Sequence, residues 1–108
     1  MMNSIKSIVA KAEDKLFYID KTIKIANEKI NLEELLKITL VTTDKGPAID
    51  DMALLLVQSD GLVIVPSEHP DFMNTIMQLN KDFPINYQKV IDAQSCTQNQ
   101  VFVLWQLV

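Results

Sequence analysis

Met52-Ala53-Leu54-Leu55-Leu56-Val57-Gln58-Ser59-Asp60-Gly61-Leu62-Val63-Ile64-Val65-Pro66 is the stretch whose reading decides the fold. Two unbroken apolar runs, Met52 to Val57 and Leu62 to Val65, flank a polar interval that ends in Asp60-Gly61. A tight hairpin turn needs positive φ at its centre, which Asp-Gly supplies readily, so the stretch predicts an antiparallel hairpin closed by Pro66.

Towards the N-terminus, Lys37 to Thr43 is rich in β-branched residues and stops at Asp44-Lys45-Gly46-Pro47, which can neither continue a strand nor begin a central one. Between Leu16 and Ile30, apolar Phe17, Ile19, Ile23, Ile25 and Ile30 alternate with Tyr18, Asp20, Thr22, Lys24 and Lys29. Polar turns around Asp20-Lys21 and Asn27-Glu28 make this two short antiparallel strands. Asn31 followed by Glu34 is a capping-box pattern for a single helical turn over Leu32 to Leu36. Before that, Ile5, Ile8, Val9, Ala12 and Leu16 recur at spacings of three and four after Asn3 or Ser4, which predicts a first helix over residues 4–15.

Towards the C-terminus, Ser67 is a good N-cap, and Phe72, Ile76 and Leu79, with Met73 and Met77 beside them, predict a helix over residues 68–80. Pro84 separates it from a second helix beginning near Asn86, with Tyr87, Val90 and Ile91 on one face. Val101 to Val108 closes the chain as a strand apolar on both sides, expected to lie centrally in the sheet or to meet a partner with its open face. Strands segregated from helices indicate an α+β fold. The expected architecture is a single antiparallel sheet with an N-terminal helix and two C-terminal helices packed on it.

The chain has 108 residues, the size of one domain spanning 1–108, and buries roughly two thirds of its unfolded surface without staples. Cys96 is the only cysteine, so an internal disulfide and a Cys₂His₂ or Cys₄ zinc site are arithmetically impossible. Met1 to Leu16 interleaves Lys6, Lys11, Glu13, Asp14 and Lys15 with apolar residues, unlike a secretory signal. No stretch approaches the ~20 apolar residues that span a bilayer. A cytoplasmic protein without membrane contact is expected.

The net charge is −4, and all ten basic residues are lysine. Without arginine's bidentate fork, and with a net-negative surface, nucleic acid is not an expected partner. Only Lys81 and Lys89 lie beyond Lys45, against Asp60, Glu68, Asp71, Asp82 and Asp92. That imbalance fits either ordinary solubility or an acidic face for a basic partner.

The candidate chemistry is sparse. His69, the only histidine, sits in Ser67-Glu68-His69-Pro70-Asp71, where helix initiation accounts for the whole cluster. Cys96 with His69 would make a nucleophile and base, but nothing in their spacing supports it. Asp44, Asp50 and Asp51 gather around Gly46-Pro47 without the ligand ladder of a calcium loop. Gly46 and Gly61 are the only glycines and both serve turns, so no phosphate-binding loop exists. Trp105 with Phe102 reads as core, with an interface hot spot as the alternative. No catalytic residue, metal or cofactor is expected.

Thr42-Thr43-Asp44-Lys45-Gly46-Pro47 followed by Asp50-Asp51, then the Asp60-Gly61 hairpin, Val65-Pro66-Ser67-Glu68, Val90-Ile91-Asp92-Ala93 and Phe102 to Trp105, resemble a group of small, largely uncharacterised bacterial cytoplasmic proteins. The similarity covers roughly residues 15–106, and TTDKGPAIDD is its most specific piece. Such groups include immunity proteins of contact-dependent growth inhibition systems. The resemblance implies a non-enzymatic protein that blocks the active or substrate-binding site of a cognate toxin. An acidic surface would suit a basic, nucleic-acid-cleaving toxin. Asp44, Asp50, Asp51, Glu68 and Asp71, the acids nearest predicted loop ends, are the expected partner-binding residues. The alternative is a structural or regulatory module that homodimerises through a sheet edge or its apolar last strand.

Overall fold

In the computed structural model, residues 6–43, 52–59, 61–96 and 98–107 are described, and every structural statement refers to these. The chain runs β1 (Lys6–Val9), β2 (Leu16–Ile19), β3 (Thr22–Ile25), β4 (Glu28–Asn31), β5 (Leu35–Thr42), β6 (Met52–Gln58), β7 (Gly61–Pro66), α1 (Phe72–Leu79), α2 (Tyr87–Gln94) and β8 (Gln100–Gln106). The expected hairpin is β6–β7, with Leu54 opposite Val65 and Leu56 opposite Val63. Val57 pairs with Leu62 and Gly61 already belongs to β7, so the glycine opens the returning strand. Asp60 lies outside the described residues.

The expectation of one antiparallel sheet fails. There are two: a mixed five-stranded sheet ordered β1-β7-β6-β5-β8, and an antiparallel three-stranded sheet ordered β2-β3-β4. The predicted N-terminal helix is instead strand β1, paired in parallel with β7 from Lys6 opposite Gly61 to Val9 opposite Ile64. Ile8 is half-buried and Ala10 fully buried while Ser7 and Val9 are exposed, a period of two. The helical spacing of Ile8 and Val9 lost to a non-local partner that satisfies the backbone of Lys6–Val9 and turns Ile8 inward, half-buried. The chain then turns, with Asp14 N–H donating to the Lys11 carbonyl at 2.9 Å, so residues 11–15 form no helix either.

The 16–30 region holds three strands rather than two, extending to Asn31. Asp20 and Lys21, at φ 47° and 58°, form the two-residue link between the paired residues Ile19 and Thr22. Positive φ at both positions matches the right-handed strand twist. The capping-box pattern gives one turn only: Asn31 Oδ1 accepts from Glu33 N–H at 2.8 Å, and Leu35 N–H reaches the Leu32 carbonyl at 3.1 Å. Glu34 accepts from the Ser59 hydroxyl at 3.2 Å instead of returning to the cap.

Helix α1 starts at Phe72, later than predicted, because Pro70 disfavours helical geometry at His69 and lacks an N–H. Phe72, Thr75, Ile76 and Leu79 are its buried stripe, as the spacing predicts, and Met73 and Met77 are exposed. Helix α2 is capped by Asn86, which accepts from Lys89 N–H at 3.3 Å. Its buried residues are Val90 and Ala93, whereas Tyr87 and Ile91 are exposed. Strand β8 is an edge strand beside β5 and not a central one.

A single core forms between the five-stranded sheet and a second layer made of the helices and the small sheet. Ile38, Leu40, Leu54, Leu56, Ile76 and Leu79 have no exposed surface, and each such side chain contributes roughly 1.5–3 kcal/mol by leaving water. Trp105 packs edge-on against Phe83, ring centroids 4.9 Å apart, and pins β8 to the segment between the helices.

Ala26, at φ 54° between β3 and β4, holds a left-handed conformation that its Cβ resists by about 1 kcal/mol. Ala26→Gly is expected to raise the urea midpoint with an unchanged slope; an unaltered or lowered midpoint would show that the turn is not strained.

Candidate functional site

His69 is 3% exposed and both ring nitrogens are engaged. Nδ1 accepts from the Asp71 N–H at 3.0 Å, so the proton sits on Nε2, which donates to the Asp14 carbonyl at 2.9 Å. The ring thus ties the β1–β2 turn to the entrance of α1. No nitrogen remains to take a proton from a nucleophile. Cys96, half-buried, contacts Thr42 Oγ1 at 3.5 Å, the Gln98 carbonyl at 3.6 Å and Gln100 Oε1 at 3.5 Å. These are structural contacts at the ends of β5 and β8, and His69 is not among them.

Of the residues expected to bind a partner, Asp44, Asp50 and Asp51 lie outside the described residues. Glu68 and Asp71 share the turn leading into α1, Glu68 exposed and Asp71 half-buried. Asp71 occupies the N-cap position without a side-chain cap bond; its carbonyl accepts from the Thr75 hydroxyl at 2.7 Å. No group of three or more His, Cys, Asp and Glu able to hold a metal ion occurs among the described residues. Nor is any helix among them long and apolar enough to cross a membrane.

One polar pair escaped the sequence reading. The Tyr18 hydroxyl donates to Asp82 Oδ2 at 2.6 Å, joining β2 to the turn after α1. Burial, then the hydrogen bond and the charge of Asp82, hold the phenol far above its ordinary value. The alternation of β2 argues against this pair, since it groups Phe17 and Ile19 as the apolar side. Leu16 and Tyr18 face the core in that strand, while the more apolar Phe17 and Ile19 point out at 53% and 68% exposure.

The outer face of the five-stranded sheet is a further surface to consider. Register and alternation place Val9, Ile64, Leu55, Thr39 and Val103 in one row across it. A second row holds Pro66, Ala53, Val41 and Val101, and a third holds Ser7, Leu62, Val57, Lys37 and Gln106. Lys37 is the single charge in these rows. Thr39 in the first row is buried, its strand neighbours Leu55, Ile64, Val57 and Val41 are half-buried, and the described helices bury their apolar stripes in the core on the other side. Val9, Val101 and Val103 are openly exposed along its two margins.

Two results are expected from the polar ties. His69→Ala leaves the Asp71 amide and the Asp14 carbonyl unpaired and should cost about 2–3 kcal/mol in urea denaturation; a loss under about 0.5 kcal/mol would remove the tie's structural role. A phenol whose pKa is raised by folding contributes its full stabilisation below its unfolded value of 10.0 and loses it progressively as pH rises above that, because the unfolded chain ionises while the folded one resists. Stability should therefore fall above pH 10 more steeply in the wild type than in Tyr18→Phe, and parallel profiles would contradict this. Compared with protein-family models, curated proteins and solved structures, the chain matches none, so its own faces and contacts carry the functional reading.

Proposed function

We propose that this chain is a protein-binding module without catalytic activity, and that a second copy of itself occupies the outer face of the five-stranded sheet. The observation that carries this is the apolar outer face running from β1 to β8, over which no described helix or strand is packed, half-buried at its middle and exposed at its margins in Val9, Val101 and Val103. A large exposed apolar patch on a soluble chain marks an interaction site or an aggregation hazard. A face of this kind needs cover continuously, and a copy of the same chain is always present at matching concentration. Twofold homodimers are also the commonest assembly.

The dimensions support a specific contact. Strands about 4.8 Å apart and some six residues long give a footprint of roughly 24 by 20 Å. Two corrugated faces of that size bury on the order of 1,000 Å² or more, the lower range of specific interfaces. With Lys37 as its only charge, the face meets itself without like-charge repulsion beyond that pair. The contact is accordingly insensitive to salt.

Neutralisation of a toxin is the second reading. Exposed Glu68 beside Asp71 at the entrance of α1, in a chain of net charge −4, favours it by offering acids to a basic partner. The resemblance around TTDKGPAIDD implies the same role. Self-association through the sheet leaves that entrance free.

Light scattering on the purified chain at about 100 μM is expected to give the mass of two copies, unchanged between low and high salt. Leu55→Glu and Val101→Glu, checked by circular dichroism for an intact fold, are expected to run as monomers. A wild-type monomer at this concentration overturns the dimer. Co-purification with the C-terminal domain of a large secreted protein, where one is encoded beside this gene, abolished by Glu68→Lys with Asp71→Lys and by salt, would support the second reading; no complex would sink it for that pair.

A further inference from the structure

We propose that the outer face of the small sheet β2–β3–β4 is a docking site for an extended, acidic peptide segment of a partner protein, with apolar side chains at alternate positions. The site is separate from the five-stranded sheet face.

The register builds it. Phe17 stands opposite Lys24, and Lys24 opposite Lys29, so an exposed aromatic ring and two ammonium groups share one row. Ile19 stands opposite Thr22 in the next row on the same face. Together with Asp20 in the turn, these residues line a concavity of about 470 Å³.

Three features point to a ligand. First, Phe17 at 53% and Ile19 at 68% exposure are turned to water in a strand whose Tyr18 points to the core. This order brings the two apolar side chains together on the outside. Second, Lys24 and Lys29 are directly opposed across two strands, and like charges so placed repel. Asp20 is the one carboxylate in the lining. An incoming carboxylate over the lysine pair relieves that repulsion. Third, Phe17 and Ile19 lie two residues apart on one strand, about 6.6 Å. That is the repeat of side chains on one side of an extended peptide, so a segment with apolar residues at alternate positions matches both, and an acidic neighbour reaches the lysines.

The charge selects among partners. Two lysines repel a basic segment, and the apolar pair gives nothing to a small, fully hydrated anion. Affinity therefore depends on both halves of the site.

The test uses the full chain and a fluorescein-labelled synthetic octapeptide of alternating leucine and glutamate, read by anisotropy and by amide shifts in nuclear magnetic resonance. Saturable binding with shifts concentrated in residues 16–24 and 28–31 is expected. Lys24→Glu, Lys29→Glu and Phe17→Ser are each expected to weaken it by about tenfold or more. All three change exposed side chains, and their fold is checked by circular dichroism. Equal binding of a leucine–lysine octapeptide, indifference to the three substitutions, or absence of saturable binding would overturn the proposal. So would inorganic phosphate reproducing the shifts while Phe17→Ser has no effect, which would make the site one for small anions. None of these outcomes bears on the mass of the assembly, so the peptide site and the sheet dimer stand or fall separately.

Discussion

A five-stranded sheet has two faces, and the described elements of this chain cover one. After β7 the polypeptide crosses to the far edge of the sheet through α1 and α2 before returning as β8 beside β5. That crossover, with the small sheet, builds the second layer on the side of Leu40, Leu54, Leu56 and Ile38, and the core is complete there. On the opposite side the strands carry nearly as much valine, leucine and isoleucine. Burial on two faces is what makes a strand read as a continuous apolar run rather than an alternating one. The run Met52 to Val57 therefore encodes two packing surfaces, and the described helices and small sheet form a layer on the first.

The layer that is present is held by a few polar ties as well as by packing. His69 bonds the backbone on both sides of a junction where β1–β2 meets the start of α1, and its burial commits it to that arrangement. Tyr18 and Asp82 do the equivalent at the other end of α1, reinforced by Lys21 lying 5.8 Å from the Phe83 ring centre. Both ties fasten elements that precede the β5–β6–β7 meander to elements that follow it. The small sheet, which shares no strand with the large one, is thereby fixed in register with the helices.

Much of this was legible where the signal was local. The β6–β7 hairpin, the Phe72–Ile76–Leu79 stripe and the Asn86 cap follow from turn chemistry, helical period and capping, each contained within a few residues. What escaped depended on distant partners. Ile5, Ile8, Val9 and Ala12 happen to recur at helical spacing, but the backbone of Lys6–Val9 pairs with β7, far along the chain. Strand β4 carries only Ile30 on its inner side, too little for a period to show. The position of β8 depended on the helical crossover, and an apolar last strand says nothing by itself about which neighbours it finds. In the site, Ser67 does not cap α1 and Glu68 and Asp71 precede its first turn, because the helix starts only at Phe72, and the ring's hydrogen bond to Asp14 was not legible either.

Charge separates the surfaces further. The outer face of the large sheet carries Lys37 alone in its rows, and the small sheet's outer concavity carries Lys24 and Lys29 against a single Asp20. The described acids of the second half lie on the other layer: Glu68 and Asp71 before α1, Asp82 after it, and Asp92 within α2, where it accepts from Gln88. The surfaces built for apolar contact are thus not the acidic ones. A basic partner drawn to the acids would be steered to the entrance of α1 and would depend on salt, whereas contact across either outer sheet face would draw on buried apolar area. A net charge of −4 therefore describes where such a partner could be attracted, and the strand registers describe where an apolar one would seat.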